Sequence, residues 1–276
     1  EALEEKQKYH KLDTFFPSTG PFSRDKYKKH LEFFKAGKDH RFRLFVGANR
    51  VGKSASGGVE GVYHITGQYP SCWDGYEYKK IRTVWIICES GALWRDSLQK
   101  HIFGEPGEEV GTGILPLASK NNGIGIIQYS ALPGTPGGVG SAVIKHKKGH
   151  NVSIIVKTYE MAREQFQAAK VDLIIFDEEP PEHIYTECML RLMGAGKEPG
   201  RSMMLFTPIK GYSNITMKFM VDGKFPDSGL ITGEPEKHVT VVGWDDVPHL
   251  SEEDKAAMLL EIPPQERDCR TKGIPT

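Results

Sequence analysis

Several features are missing from this sequence of 276 residues, and each absence removes a class of protein. No apolar run approaches the roughly 18 residues that a membrane-spanning helix needs. The opening residues, EALEEKQKYH, are charged and hold no apolar core, so they do not read as a secretion signal. They also lack an initiating methionine, as expected of a trimmed chain. Charge of either sign is not in excess: Lys+Arg and Asp+Glu are both 36. That leaves no overall electrostatic footprint for nucleic acid, only room for a local basic patch. Cysteine is scarce. Cys72, Cys88, Cys188 and Cys269 lie far apart and form no C-x-x-C pair, which fits reduced thiols better than a disulfide or zinc framework. His146 and His150, in KHKKGH, have a ligand-like spacing, but no third and fourth ligand cluster nearby, so a solvated basic turn is the preferred reading. There is no internal repeat and no low-complexity block.

What is present is an ordinary globular composition, 38% hydrophobic and 26% charged, with a length that suits one large or two small domains. Residues 24–36, RDKYKKHLEFFKA, read as an amphipathic helix capped by Ser23 and followed by Gly37. RFRLFV is a short strand, and KSASGGVEGVYHI a helix whose glycines imply close packing. TVWIIC, VDLIIF, SMMLF and HVTVVGW are further buried strands. A helix is expected around LWRDSLQKHIF and another at EHIYTECMLRLM. Residues 104–140 are rich in Gly and Pro and read as loops with a little strand, whereas SAVIKHKKGHNVSIIVKTY reads as two strands around a basic turn. The tail carries a capped helix and then Pro-rich residues. Strands alternating with helices argue for an α/β fold with a largely parallel central sheet flanked by helices. The expected division is a core over 1–244, with an N-terminal helical arm, and a small helical lid over 245–276.

The chemistry starts at GANRVGKS, residues 47–54, a Gly-x4-Gly-Lys-Ser run between a strand and a helix. In that setting backbone N–H groups of Gly47, Ala48, Asn49, Arg50, Val51 and Gly52, and of the helix start through Ala55, point at phosphates. Lys53 would reach the β- and γ-phosphates and Ser54 would ligate Mg²⁺. A second signal stands apart from the first: VDLIIFDEE is an apolar strand ending in acids. Asp177 can hold Mg²⁺ directly or through water, and Glu178 can accept a proton from an attacking water. This is an ATPase pattern. GTPases carry an Asn-Lys-x-Asp motif, which is absent here, and small-molecule kinases need no water-activating carboxylate.

At these residues the chain resembles the large terminase subunit of tailed bacteriophages, in its ATPase portion. GKSASGGVEGVYHITGQYPSCWDG, KTYEMAREQFQAAKVDLIIFDEEPPEHIYTECMLRL and LFTPIKG are similar to that family's P-loop, Walker B and coupling segments, so the likeness covers roughly residues 25–275. The resemblance implies an ASCE-type P-loop NTPase fold and a motor that uses ATP and Mg²⁺ to pump double-stranded DNA into a procapsid. It implies a homo-oligomeric ring, monomeric in isolation, docked in the host cytoplasm on the portal protein of the procapsid, with the small terminase subunit as a further partner and no membrane. Family members usually carry a C-terminal nuclease. RTKGIPT reads as the start of the linker to it, and nuclease activity is not expected here.

The same resemblance assigns residue roles. Arg50 matches a basic P-loop position that contacts the γ-phosphate. Thr207 matches the coupling position, against a plain cap of the turn at Pro208. His30, in YKKHLEFF, stands where many relatives have an adenine-reading glutamine. Arg163 matches the arginine inserted into a neighbour's site, against a helix-surface arginine paired with Glu160 or Glu164. Lys145, Lys147 and Lys148 form the one dense basic turn, for which solvation is preferred over DNA contact. The rival readings are a helicase- or recombinase-type translocase and a non-hydrolysing, nucleotide-dependent assembly module.

Overall fold

The computed structural model describes Tyr9 and residues 11–167, 170–193 and 198–276. The described residues form two compact units. The first holds the residues up to 15, then 54–73 and 77–202; the second holds 16–53, 74–76 and 203–276.

In the first unit five strands stand in the order β3-β4-β5-β2-β6. β2 (Thr83–Cys88) lies parallel to both β5 (Asn151–Thr158) and β6 (Leu173–Asp177), with Cys88 opposite Asp177 in the register. Such strands are covered on both faces and read as unbroken apolar runs, as VWIIC and LIIF do here. β3 (Gly125–Ala131) and β4 (Val139–Lys145) complete the sheet in antiparallel pairing, β4 also with β5. The helix that begins at Lys53 enters this unit at Ser54 and runs to Thr66. Its glycines mark close approach, as expected: a Cβ at Gly58 would meet Leu98 Cδ1 at 2.9 Å, and one at Gly61 would meet Ile175 Cδ1 at 2.7 Å.

The second unit contains β1 (Phe42–Gly47) between β7 (Arg201–Phe206, from Met203 onward) and β8 (Lys237–Val242). β1 and β8 run parallel with Gly47 opposite Val242. There the chains come so close that a Cβ on Gly47 would stand 2.4 Å from Val242 O. Helix α1 (Lys28–Ala36) packs Phe33 face to face on Phe45 of β1. Ser251 caps the helix Glu252–Glu261 by accepting from Asp254 N, as read from sequence. The helix Arg267–Lys272 ends at Gly273, which abuts Gly47.

Three expected boundaries differ. The helix over 24–36 splits into a 3₁₀ turn, Arg24–Lys26, and α1, because Tyr27 leaves helical space at φ −103°, ψ 52°. Ser23 makes no side-chain cap hydrogen bond. The helix around LWRDSLQKHIF breaks at Ser97 into Gly91–Asp96 and Leu98–Ile102. Each half is anchored separately near the start of β4, Trp94 Nε1 donating to Val139 O and Gln99 bonding Gly137 O and Val139 N. The region 104–140 contains the whole of β3, a seven-residue strand whose pairing with β4 overrides its glycine-rich flanks.

Candidate nucleotide site

In the second unit β1 ends at Gly47, and the chain turns through residues 48–52 before helix geometry starts at Lys53. The turn requires two residues in the left-handed region, Arg50 at φ 62° and Gly52 at φ 82°. Glycine takes that conformation at no steric cost; arginine does so at a cost of about 1 kcal/mol and needs outside support. Lys53 Nζ curls back over the loop. It donates to Ala48 O at 2.6 Å, Gly47 O at 3.2 Å and Thr207 Oγ1 at 3.0 Å. The Thr207 hydroxyl in turn donates to Asn49 Oδ1 at 3.0 Å. Three residues picked out along the sequence, Asn49, Lys53 and Thr207, are thus one hydrogen-bonded group. Thr207 reaches the loop lysine with its side chain, while the turn beyond it uses the backbone bond from Ile209 N to Thr207 O.

His30 lies beneath the loop, 1% exposed, edge-on to Tyr27 and Phe45. Burial pushes its pKa down to about 4, so the ring is neutral near pH 7 and its one N–H, on Nε2, donates to Val51 O at 2.8 Å. Two residues unread in the sequence do the same work next door. Trp244 Nε1 donates to Asn49 O at 3.0 Å, and His249 Nε2 donates to Arg50 O at 2.8 Å. Nothing local in VVGWDDVPHL signals this, since these partners lie 195 and 199 residues away.

In the first unit Ser54 Oγ donates to Asp177 Oδ1 at 2.5 Å. A hydroxyl and a carboxylate held together, 123 residues apart in sequence, are hard oxygen donors that fit Mg²⁺, which takes one or two protein ligands and fills its octahedron with water and phosphate. The helix beginning at Lys53 has no acidic residue in its first turn, leaving its dipole open to an anion. Glu178 follows with φ 100°, a conformation that costs a non-glycine residue about 1–3 kcal/mol. The Tyr159 hydroxyl holds it by donating to Glu178 O at 2.6 Å; burial raises the Tyr159 pKa far above the usual phenol range, so the donor proton stays. Glu178 is exposed, whereas Glu179 is buried. Arg163 sits in a 3₁₀ turn, Arg163–Phe166, and pairs with Glu187 of the helix Glu182–Leu192 through Nε at 2.8 Å and through Nη2. Glu187 was missed because it is 24 residues from Arg163. Of the basic turn, Lys147 and Lys148 are exposed, and Lys148 Nζ donates to Tyr78 O and Lys79 O.

A parallel sheet whose strand runs into a glycine loop and then a helix, with the loop lysine folded over it, is that of a P-loop NTPase. The chain belongs to the family of T4likevirus-type terminase large subunits: the model of that family's N-terminal part matches residues 44–226. Along its whole length it is 29% identical to the large terminase subunit of Salmonella phage P22, and it spans 54% of that protein. It is similar in fold to the large terminase ATPase domain of Thermus phage P74-26, at a TM-score of 0.52 and 16% identity over 85% of this chain and 88% of that one. It is also similar to the large terminase of a thermophilic bacteriophage solved in complex with ADP, at a TM-score of 0.57 and 13% identity over 89% of this chain and 52% of that one. Among the described residues no helix is long and apolar enough to cross a membrane.

Proposed function

We propose that this chain is the ATPase part of a phage DNA-packaging motor, hydrolysing Mg²⁺-ATP to drive double-stranded DNA into a procapsid. The observation that carries the reading is the bond between Ser54 and Asp177, which brings the ends of two motifs together as two oxygen donors suited to a phosphate-bound cation. Nucleotide on the same fold in the ADP complex supports it. Lys53 holds the β- and γ-phosphates, and Arg50 meets the γ-phosphate. Ser54 and Asp177 would hold Mg²⁺, which when bound would supply charge neutralisation at the transferring phosphoryl group. Glu178, exposed and set by its unusual backbone, takes the proton of the attacking water. Thr207, bonded to Lys53, senses the γ-phosphate state and passes it to the segment after β7. Arg163 completes the site of a neighbouring subunit in a homo-oligomeric ring docked on the portal protein, with the small terminase subunit as a partner.

The test is Glu178→Gln, which keeps shape but removes proton acceptance. ATP should bind and persist, with turnover down on the order of 10²–10⁴-fold in a phosphate-release assay with procapsids and DNA. Near-normal turnover would move the base to another residue, and no ATP turnover by the parent chain under any condition would overturn the motor.

A further inference from the structure

Three consecutive carbonyls of the phosphate loop are each met by a side-chain N–H. Asn49 O accepts from Trp244 Nε1 at 3.0 Å, Arg50 O from His249 Nε2 at 2.8 Å, and Val51 O from His30 Nε2 at 2.8 Å. The peptide unit is planar and trans, so a carbonyl and the following N–H point in opposite directions. Fixing these three carbonyls toward Trp244, His249 and His30 therefore turns the N–H groups of Arg50, Val51 and Gly52 the other way. The two preceding N–H groups, expected from the sequence to face phosphates, are instead bound elsewhere, Ala48 N to Val242 O and Asn49 N to Arg270 O. The concave, anion-facing part of the loop thus starts at Arg50, where the left-handed residues Arg50 and Gly52 bend it.

The donors are themselves held. Tyr27 stacks on His249 with ring centroids 5.9 Å apart, and its hydroxyl lies 3.1 Å from His249 Nδ1. With Nε2 protonated toward Arg50 O, Nδ1 is the acceptor and Tyr27 donates, which selects one tautomer and one ring orientation. Trp244 is 6% exposed and Gly243 N is anchored to Asp246 Oδ2 at 2.7 Å, which seats the indole.

We propose that Trp244, His249 and His30 are positioning residues that aim the phosphate loop's N–H groups, so that the segment 244–249 is a working half of the nucleotide site although it touches no phosphate. This rests on the reading of residues 47–54 as a phosphate loop. It makes phosphate affinity depend on a segment almost 200 residues from the loop, and it couples the polyphosphate's presence to the placement of that segment.

The experiment uses calorimetry with Mg²⁺-ADP and competition by inorganic pyrophosphate, on Trp244→Phe, His249→Ala, His249→Gln and Lys53→Ala. Trp244→Phe keeps an apolar ring and deletes the donor, and His249→Ala removes donor and ring together. Each should weaken ADP by roughly 5–100-fold, the span of a hydrogen bond whose partner is left unmet. Pyrophosphate should weaken by the same factor, because the effect acts on phosphates; a residue that only stabilised the fold would leave both constants of the folded protein unchanged. His249→Gln, which presents an amide N–H at the reach of Nε2, should restore most of the loss. ADP binding equal to the parent in Trp244→Phe and His249→Ala, with binding lost in Lys53→Ala, would overturn this proposal alone. Unchanged binding in Lys53→Ala would overturn the phosphate-loop reading beneath it. Should Trp244→Phe not fold, the exposed His249 carries the test by itself.

Discussion

Replacing His30 by glutamine tests whether the phosphate loop rests on a neutral imidazole. His30 is buried, and burial is the main cause that drives its pKa from 6.5 to about 4; Lys53 and His249 push the same way, while the bond to Val51 O and the charge of Asp246 oppose. The sign follows from which state binds the proton. Between pH 6.5 and about 4 the unfolded chain protonates this ring and the folded chain does not, so acidification favours unfolding. At about pH 5 the loss from this one group is about 2 kcal/mol relative to neutral pH. A glutamine amide donates to Val51 O without titrating. The assay is urea denaturation at about pH 7.5 and about pH 5 for both proteins. His146 and His238, whose pKa values burial also lowers to about 4, add to the slope of each protein equally and cancel in the comparison. The parent should therefore lose about 2 kcal/mol more than His30→Gln over this interval. Equal losses would refute a neutral buried His30.

Gly47→Ala should destabilise by about 1–3 kcal/mol in thermal or urea unfolding, because its Cβ would stand 2.4 Å from a backbone oxygen that cannot swing aside; a melting point unchanged from the parent would show that β1 and β8 are less close than they stand here. Arg163→Ala and Glu178→Gln subunits should each be inactive alone yet recover ATPase when mixed in one ring, since an intact Arg163 can complete an Arg163→Ala neighbour's site. A guanidinium supplied in trans is worth about 10³–10⁵ in rate. No recovery from rings proven to contain both would place Arg163 within its own subunit, serving Glu187 alone.

Much of this protein is legible along the chain, for a physical reason that differs between its parts. The buried parallel strands appear as apolar runs because both their faces are covered, and the basic hairpin at residues 145–150 appears because turn chemistry is local. The loop at 47–54 and the acids after β6 carry their spacing with them, since a phosphate cradle needs glycine, lysine and a hydroxyl within eight residues. Tertiary structure decided the rest. Helices broke at Tyr27 and Ser97, where no breaker residue stands: Tyr27 bonds His249, 222 residues away, and the two halves around Ser97 bond the start of β4 separately. β3 formed in a glycine-rich stretch because β4 offered it an edge. Arg163 found Glu187 and not its helical neighbours. Trp244 and His249 came to the loop from 195 and 199 residues away, to satisfy carbonyls that the turn geometry itself leaves open. Hydrogen-bond demand is written locally, in the backbone of a tight loop; which side chain answers it is settled only when the chain has folded.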